Sequence, residues 1–137
     1  MALFYVDASA LVKLVRDEPE SAALRAFLTD ADLVSCDLVL TELPRAIRRA
    51  AAHDPRLPLE VLLSHSSELL EAVALLSLDR AVLLVAGSIA EPALRTLDAI
   101  HVAAAADLQP MDGFVTYDER QAAAARLAGL RTVAPGA

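Results

Sequence analysis

The chain of 137 residues has few of the residues that build several common kinds of functional site. It contains one cysteine, three histidines, four glycines and a single lysine. Cys36 alone cannot form an internal disulfide, and one cysteine with three scattered histidines does not make a zinc site. The glycines form neither a P-loop nor a dinucleotide fingerprint, and no serine stands in a nucleophile-elbow pattern. These absences exclude the commonest sequence signatures of nucleotide binding, zinc binding and serine hydrolysis.

Positive charge is also scarce, since the net charge is -7 at pH 7. That balance is the opposite of what a general nucleic-acid binder carries. The apolar runs are interrupted by charge before they reach the length of a bilayer, so we expect neither a membrane-spanning helix nor a signal peptide. A lone cysteine fits a reducing compartment, and we expect a cytoplasmic protein.

What the chain has in abundance is small and aliphatic side chains, because 56% of the residues are hydrophobic and only 4% are aromatic. A core of Ala, Leu and Val suits close packing of helices on a sheet. Residues 1–137 are expected to form one domain, a length sufficient for a single substantial core. Four short apolar runs predict strands, and the segments between them predict helices. The strands are expected at 3–6, 33–36, 114–117 and 130–133, and the helices at 8–15, 20–29, 38–53, 59–76, 80–90, 96–107 and 119–127.

This alternation predicts an α/β fold in which a mostly parallel sheet is covered by helices on both faces. Acidic residues recur just after a strand or at the start of a helix: Asp7, Glu42, Asp98 and Asp118. In open α/β folds, ligands bind beyond the carboxyl ends of the strands. Asp7 and Asp98 also fit ordinary helix starts, with Thr96 as a possible cap before Asp98. Pro44 lies inside the helix of Glu42 and should kink that helix or delay its start.

Four carboxylates at one edge of a sheet repel one another unless some are protonated or cations bind between them. Hard divalent ions such as Mg²⁺ or Mn²⁺ prefer oxygen ligands. A metal held in this way can activate water and neutralise charge on a phosphate under attack. The pattern therefore predicts metal-dependent hydrolysis of a phosphodiester. A phosphoryl-accepting receiver domain would also carry acids at strand ends, but it needs a lysine late in the chain, and the only lysine is Lys13.

The chain resembles the PIN-domain ribonucleases, and within them the VapC-type toxins of bacterial toxin–antitoxin pairs. The resemblance covers nearly the whole length and rests on four motifs in order. These are Val6-Asp7-Ala8-Ser9-Ala10, the Glu42 helix with Arg45, Leu97-Asp98-Ala99-Ile100-His101-Val102-Ala103, and Val115-Thr116-Tyr117-Asp118 followed by Arg120. The family keeps an uninterrupted helix where Pro44 stands here.

The resemblance implies a three-layer α/β/α PIN-like domain with a site for Mg²⁺ or Mn²⁺. Asp7 and Asp98 would be the principal ligands and Asp118 would complete the set, while Glu42 would bind through water or act as a base. Ser9 and Thr116 would hold the carboxylates. His101, three residues after Asp98, is either a base or, as we favour, a packed histidine that supports the helix or a carboxylate. Arg95, Arg120 and Lys13 are candidates for phosphate contacts or solvated surface residues.

The resemblance also implies cleavage of RNA, inhibition by a cognate antitoxin protein and assembly as a homodimer. The leading hypothesis is a divalent-metal-dependent endoribonuclease toxin. An alternative is a catalytically inactive PIN-like module that only binds a partner. Such a module would keep the fold but show no metal-dependent turnover.

Overall fold

The centre of the molecule is a sheet of five parallel strands in a computed structural model that describes all 137 residues. The strands are β1 (Leu3–Val6), β2 (Asp32–Cys36), β3 (Ala74–Leu76), β4 (Gly113–Val115) and β5 (Thr132–Val133). Their order across the sheet is β3-β2-β1-β4-β5, and every neighbouring pair is parallel. The chain therefore moves from β1 to one side of the sheet and later returns to the other side, next to β1.

Seven helices cover the two faces of this sheet. They are α1 (Ala8–Val15), α2 (Ser21–Leu28), α3 (Val39–His53), α4 (Leu59–Ala72), α5 (Arg80–Gly87), α6 (Thr96–Leu108) and α7 (Glu119–Leu127). Helices α1 to α4 share one hydrophobic core with the side chains of Phe4 and Val6. Helices α5 to α7 share the other with Tyr5 and Phe114. Successive residues of β1 thus point into opposite cores, as strand geometry requires. The predicted three-layer α/β/α fold with a parallel sheet is confirmed.

The point where the strand order reverses lies between β1 and β4, which are hydrogen-bonded neighbours. Ligands of open α/β sheets bind beyond the carboxyl ends of the strands at such a point. Asp7 follows β1, and Thr116 follows β4. The topology therefore brings the ends of the first and fourth motifs of the sequence side by side.

The structure corrects the sequence interpretation at one strand and one cap. The predicted helix 59–76 ends at Ala72, and Ala74–Leu76 form the edge strand β3 beside β2. A run of three apolar residues fits both structures, and only pairing with β2 decides between them. Thr96 is the first residue of α6 and does not cap it, because Arg95 holds the cap position without a side-chain bond.

Pro44 does not delay the helix that contains it, since α3 begins at Val39. Glu42 therefore lies in the first turn. The hydrogen bond that proline cannot donate would have gone to the carbonyl of Leu40, an exposed residue whose carbonyl water can solvate. At the other end of the chain, Gly129 follows α7 with φ +87°, the left-handed conformation that terminates helices and that glycine adopts without strain. Every helix is too short or too polar to cross a membrane.

Candidate active site

The four predicted carboxylates are brought to one edge of the sheet by four different elements. Asp7 ends β1 and caps α1, and Asp118 caps α7 after β4. Glu42 and Asp98 lie in the first turns of α3 and α6. Burial raises the pKa of Asp98, and the negative charges of Asp118, Asp7 and Glu42 raise it further. The residues that the sequence predicted as a group therefore lie at one edge of the sheet, near enough for the other three charges to act on Asp98.

Asp7 is buried, with 3% of its surface exposed, and both of its carboxylate oxygens are hydrogen-bonded. Oδ1 accepts bonds from Ser9 Oγ at 2.7 Å and from the Ala10 backbone N–H at 2.9 Å. Oδ2 lies 2.5 Å from Thr116 Oγ1. Burial raises the pKa of Asp7, while the bonds from Thr116, Ser9 and Ala10 oppose that rise. Ser9 and Thr116 thus fix the position of this carboxylate.

Thr116 extends the network through Gln121 to the Asp98 backbone and to Asp118. Its Oγ1 lies 2.9 Å from Gln121 Oε1 and accepts the Asp118 N–H at 3.1 Å. The Gln121 side chain donates to the Asp98 carbonyl at 3.3 Å, and the Gln121 N–H donates to Asp118 Oδ1 at 3.0 Å. Since a hydroxyl carries one proton, Thr116 can donate to only one of its two acceptors. The single Thr116 hydroxyl therefore joins Asp7, Gln121 and the Asp118 backbone.

Gln121 is fully buried and was not predicted from the sequence as a site residue. A signal for it exists, because Gln121 stands three residues after the capping Asp118. Asp-x-x-Gln resembles the capping box that joins the first residues of a helix. Its role in joining three of the predicted residues depends on tertiary contacts that no local pattern encodes.

Asp98 differs from Asp7 in having no hydrogen bond to either carboxylate oxygen within the chain, so both remain free to ligate. The side chain is half-buried. Burial raises its pKa first, the charges of Asp118, Asp7 and Glu42 raise it further, and His101 partly opposes the rise. The free energy of this carboxylate is therefore lowered by any cation that binds beside it.

Glu42 is held by His101 across the edge of the sheet. Glu42 Oε1 lies 2.6 Å from His101 Nε2, and the Glu42 side chain is 18% exposed, against 1% for His101. On the other side of the imidazole, Nδ1 lies 2.7 Å from the Tyr5 hydroxyl and 3.6 Å from Cys36 Sγ. His101 is thus a buried histidine that supports a carboxylate, as the sequence interpretation favoured.

Burial alone would lower the pKa of His101, but its contacts with Cys36 and Glu42 outweigh that effect and raise the pKa to about 10. At neutral pH an imidazolium then faces the Glu42 carboxylate. Nε2 donates to Glu42, and Oε2 of Glu42 makes no hydrogen bond within the chain. Tyr5 and Cys36, on β1 and β2, are supporting residues that the sequence did not reveal.

Whether these side chains could hold a metal can be judged from their chemistry. No three His, Cys, Asp or Glu side chains lie close enough together, as they stand, to hold one ion. The donors are nevertheless all carboxylate oxygens, and those of Asp98 are unpaired. Mg²⁺ is commonly bound through one or two carboxylates with several waters retained. The donor set therefore fits a partly hydrated divalent ion rather than a closed protein cage.

Of the three residues predicted to contact phosphate, Lys13 is paired with carboxylates, whereas Arg95 and Arg120 are not. Lys13 Nζ lies 2.9 Å from Glu20 Oε2 and 3.8 Å from Glu18 Oε1, and it also lies over the ring of Tyr117. These partners occupy the only lysine. Arg95 stands three residues before Asp98, and Arg120 stands two residues after Asp118. Both arginines are exposed and form no salt bridge.

Comparison with known proteins shows which family the chain is similar to. A model of the PIN domain matches residues 4–127. The chain is 38% identical over 148 residues to Ribonuclease VapC46 and 36% identical over 141 residues to Ribonuclease VapC47, both of Mycobacterium tuberculosis. These alignments cover 98% of this chain, 99% of VapC46 and 98% of VapC47.

The fold is also similar to that of a solved structure, PAE2754 from Pyrobaculum aerophilum. The TM-score is 0.65 with 23% identity, and the match covers 96% of this chain and 84% of that one. The domain match, the full-length relatives and the fold agree: the chain belongs to the PIN-domain family and, within it, to the VapC type.

Proposed function

We propose that this protein is a divalent-metal-dependent endoribonuclease of the toxin type, restrained by a cognate antitoxin and active as a homodimer. The observation that carries the proposal is the placement of Asp98 at the same edge of the sheet as Asp7, Glu42 and Asp118, with its own oxygens unpaired and with burial and the three neighbouring charges raising its pKa. The full-length relatives named as ribonucleases support RNA as the substrate. The magnesium or manganese ion is inferred from the carboxylate donors.

Asp7, Asp98 and Asp118 would hold the ion, with Glu42 binding through water or acting as a base. When bound, the ion would activate water and neutralise charge on the phosphate under attack. The chain itself would position these groups: Ser9 and Thr116 hold Asp7, and the Asp118 backbone is joined to Thr116. His101 holds Oε1 of Glu42 and leaves Oε2 free to accept a proton from the attacking water.

A second candidate is a partner-binding module without catalysis. It is favoured by the absence of three side chains already close enough to hold an ion. The two candidates differ in what a divalent ion does to the protein, so a binding measurement separates them before any RNA target is known.

The first experiment is thermal unfolding with and without millimolar Mn²⁺. An ion that binds only the folded protein at ~100 times its dissociation constant adds about 2.7 kcal/mol, a shift of several degrees. We expect this rise in the natural protein and its loss in Asp98→Asn. Asp107→Asn changes an exposed carboxylate on the same helix and should keep the rise. The absence of a rise in the natural protein would favour the binding module.

The second experiment measures cleavage of total RNA and growth arrest on expression without the antitoxin. Asp98→Asn should abolish both, and Asp107→Asn should abolish neither. A toxic, cleaving Asp98→Asn protein would contradict the proposed site. Co-expression with the small protein encoded next to the gene should restore growth if that protein is the antitoxin.

A further inference from the structure

One surface of α3 carries a concentration of positive charge that the proposed site does not use. Arg45, Arg48 and Arg49 fall within five residues, are all exposed, and form no salt bridge. No acidic residue occurs between Glu42 and Asp54. By contrast, Lys13, Arg25 and Arg56 are each paired with a carboxylate. This half of α3 is therefore an unneutralised basic surface on a chain of net charge -7.

Helix geometry relates these arginines to the candidate site. The buried side of α3 is formed by Val39, Leu43 and Ile47, which fixes how the helix is turned. At about 100° per residue, Arg49 lies about 20° around the helix axis from Glu42, and Arg45 about 60°. They lie about 10.5 Å and 4.5 Å further along that axis. Glu42, Arg45 and Arg49 thus form a row that begins at the carboxylates.

Arg48 does not belong to this row. It lies about 120° around the axis from Glu42, although it has the same side chain, the same exposure and the same helix. The chain therefore contains its own comparison between an arginine in line with the site and one that faces elsewhere.

We propose that Arg45 and Arg49 bind the phosphate backbone of the RNA as it leaves the carboxylate site. This inference rests on the proposed ribonuclease function and adds the path of the substrate. A polyanion approaching four carboxylates is repelled, so positive charge is needed close beside them. Guanidinium groups bind phosphate oxygens through paired N–H donors, and two exposed arginines separated by one helical turn can contact successive phosphates. Backbone contacts carry no base sequence, so the row adds affinity rather than sequence preference.

The test is binding of a fluorescent single-stranded RNA of mixed sequence, measured by anisotropy in chelator so that cleavage does not interfere. The double variant Arg45→Gln/Arg49→Gln should bind about tenfold more weakly at low salt. The slope of log affinity against log salt should fall by about 0.7 for each arginine removed. Arg48→Gln should retain the affinity and slope of the natural protein. Unfolding temperatures of all variants are compared to verify folding.

A loss in Arg48→Gln half as large as that in the double variant, which is the same loss per arginine, would overturn the row, because overall charge alone would then explain binding. Unchanged RNA binding in the double variant, or no binding by the natural protein at low salt, would overturn it too. An effect confined to binding of the antitoxin would assign the surface to a protein partner and also overturn the proposal.

The outcomes separate this inference from the proposed function. If the natural protein cleaves RNA in an Asp98-dependent manner and the double variant has the same KM, the inference fails and the proposed function stands. If neither the natural protein nor any variant cleaves RNA, but binding depends on Arg45 and Arg49 and not on Arg48, the surface stands and the proposed catalysis fails. If both hold, the double variant raises KM and leaves kcat nearly unchanged, because the row touches no reacting atom.

Discussion

Asp7 and Asp98, the two aspartates proposed as principal ligands, differ in burial and in hydrogen bonding. Asp7 is enclosed, and Ser9, Ala10 and Thr116 pair both of its oxygens. Asp98 is half-buried, unpaired, and faces three further carboxylates. The fold therefore fixes the position of the Asp7 carboxylate. The Asp98 carboxylate is instead repelled by its neighbours, and a bound cation would relieve that repulsion.

This difference shows how a protein can keep a repulsive cluster of carboxylates and still fold. The hydrogen bonds around Asp7 offset part of the cost of its burial, because buried polar groups are tolerated when they are paired. On the Asp98 side, the charge of His101 partly compensates the neighbouring carboxylates. We propose that a bound divalent ion relieves the repulsion that remains among these carboxylates.

The largest expected effect comes from breaking the held side with Thr116→Val. The replacement keeps the shape but removes the hydroxyl that links Asp7, Gln121 and the Asp118 N–H. Unpaired buried groups each cost about 1–3 kcal/mol, so we expect roughly 2–4 kcal/mol of lost stability in urea unfolding. Thr116→Ser retains the hydroxyl and should lose only about 1 kcal/mol, for one methyl group. Equal losses in the two variants would contradict the role of the hydroxyl network.

A smaller effect is expected from the link between Glu42 and His101. The folded pKa of His101 is raised from 6.5 to about 10, so the folded state binds more protons than the unfolded state between these values. This contribution to stability is fully present below pH 6.5 and is lost as pH rises towards 10. Glu42→Gln keeps an acceptor for Nε2 but removes the charge, so unfolding free energies in chelator should decline less steeply over this range.

The same pH series should be recorded for Glu60→Gln, a change of an exposed glutamate on α4. That control should follow the natural protein. Coincident curves for Glu42→Gln and the natural protein would mean that the Glu42 charge does not hold the proton on His101.

The smallest expected effect is a gain in stability from Asp98→Asn in metal-free protein at pH 7. Its raised pKa means that burial and repulsion outweigh the favourable position at the start of α6. Because the side chain is half exposed, water screens much of the repulsion, and the gain should stay below about 1 kcal/mol. Differential scanning calorimetry in chelator should give a slightly raised Tm, with Asp107→Asn as the reference. A clear fall in Tm would mean that Asp98 is as firmly bonded as Asp7.

Much of the architecture could be predicted because it depends on local patterns. Alternating apolar segments with polar breaks predicted the layers, and α7 was predicted with the bounds that the structure has. The placing of Asp7, Asp98 and Asp118 at helix starts also followed from local rules, and the helices of Asp7 and Asp118 follow a strand. The edge strand β3 was missed because three apolar residues at the end of a helical pattern carry no signal of their own.

The sequence by itself thus determined the fold class, the family and the acidic residues that meet at one edge of the sheet. Only the tertiary structure decided how those residues are held. The partners of Asp7 and Glu42 include residues 109 and 59 positions away in the chain, and those of His101 include residues 65 and 96 positions away. No periodicity or cap extends over such separations. Packing of α3 and α6 against opposite faces of the sheet makes these contacts, and so packing decides which carboxylate is bonded and which is left free.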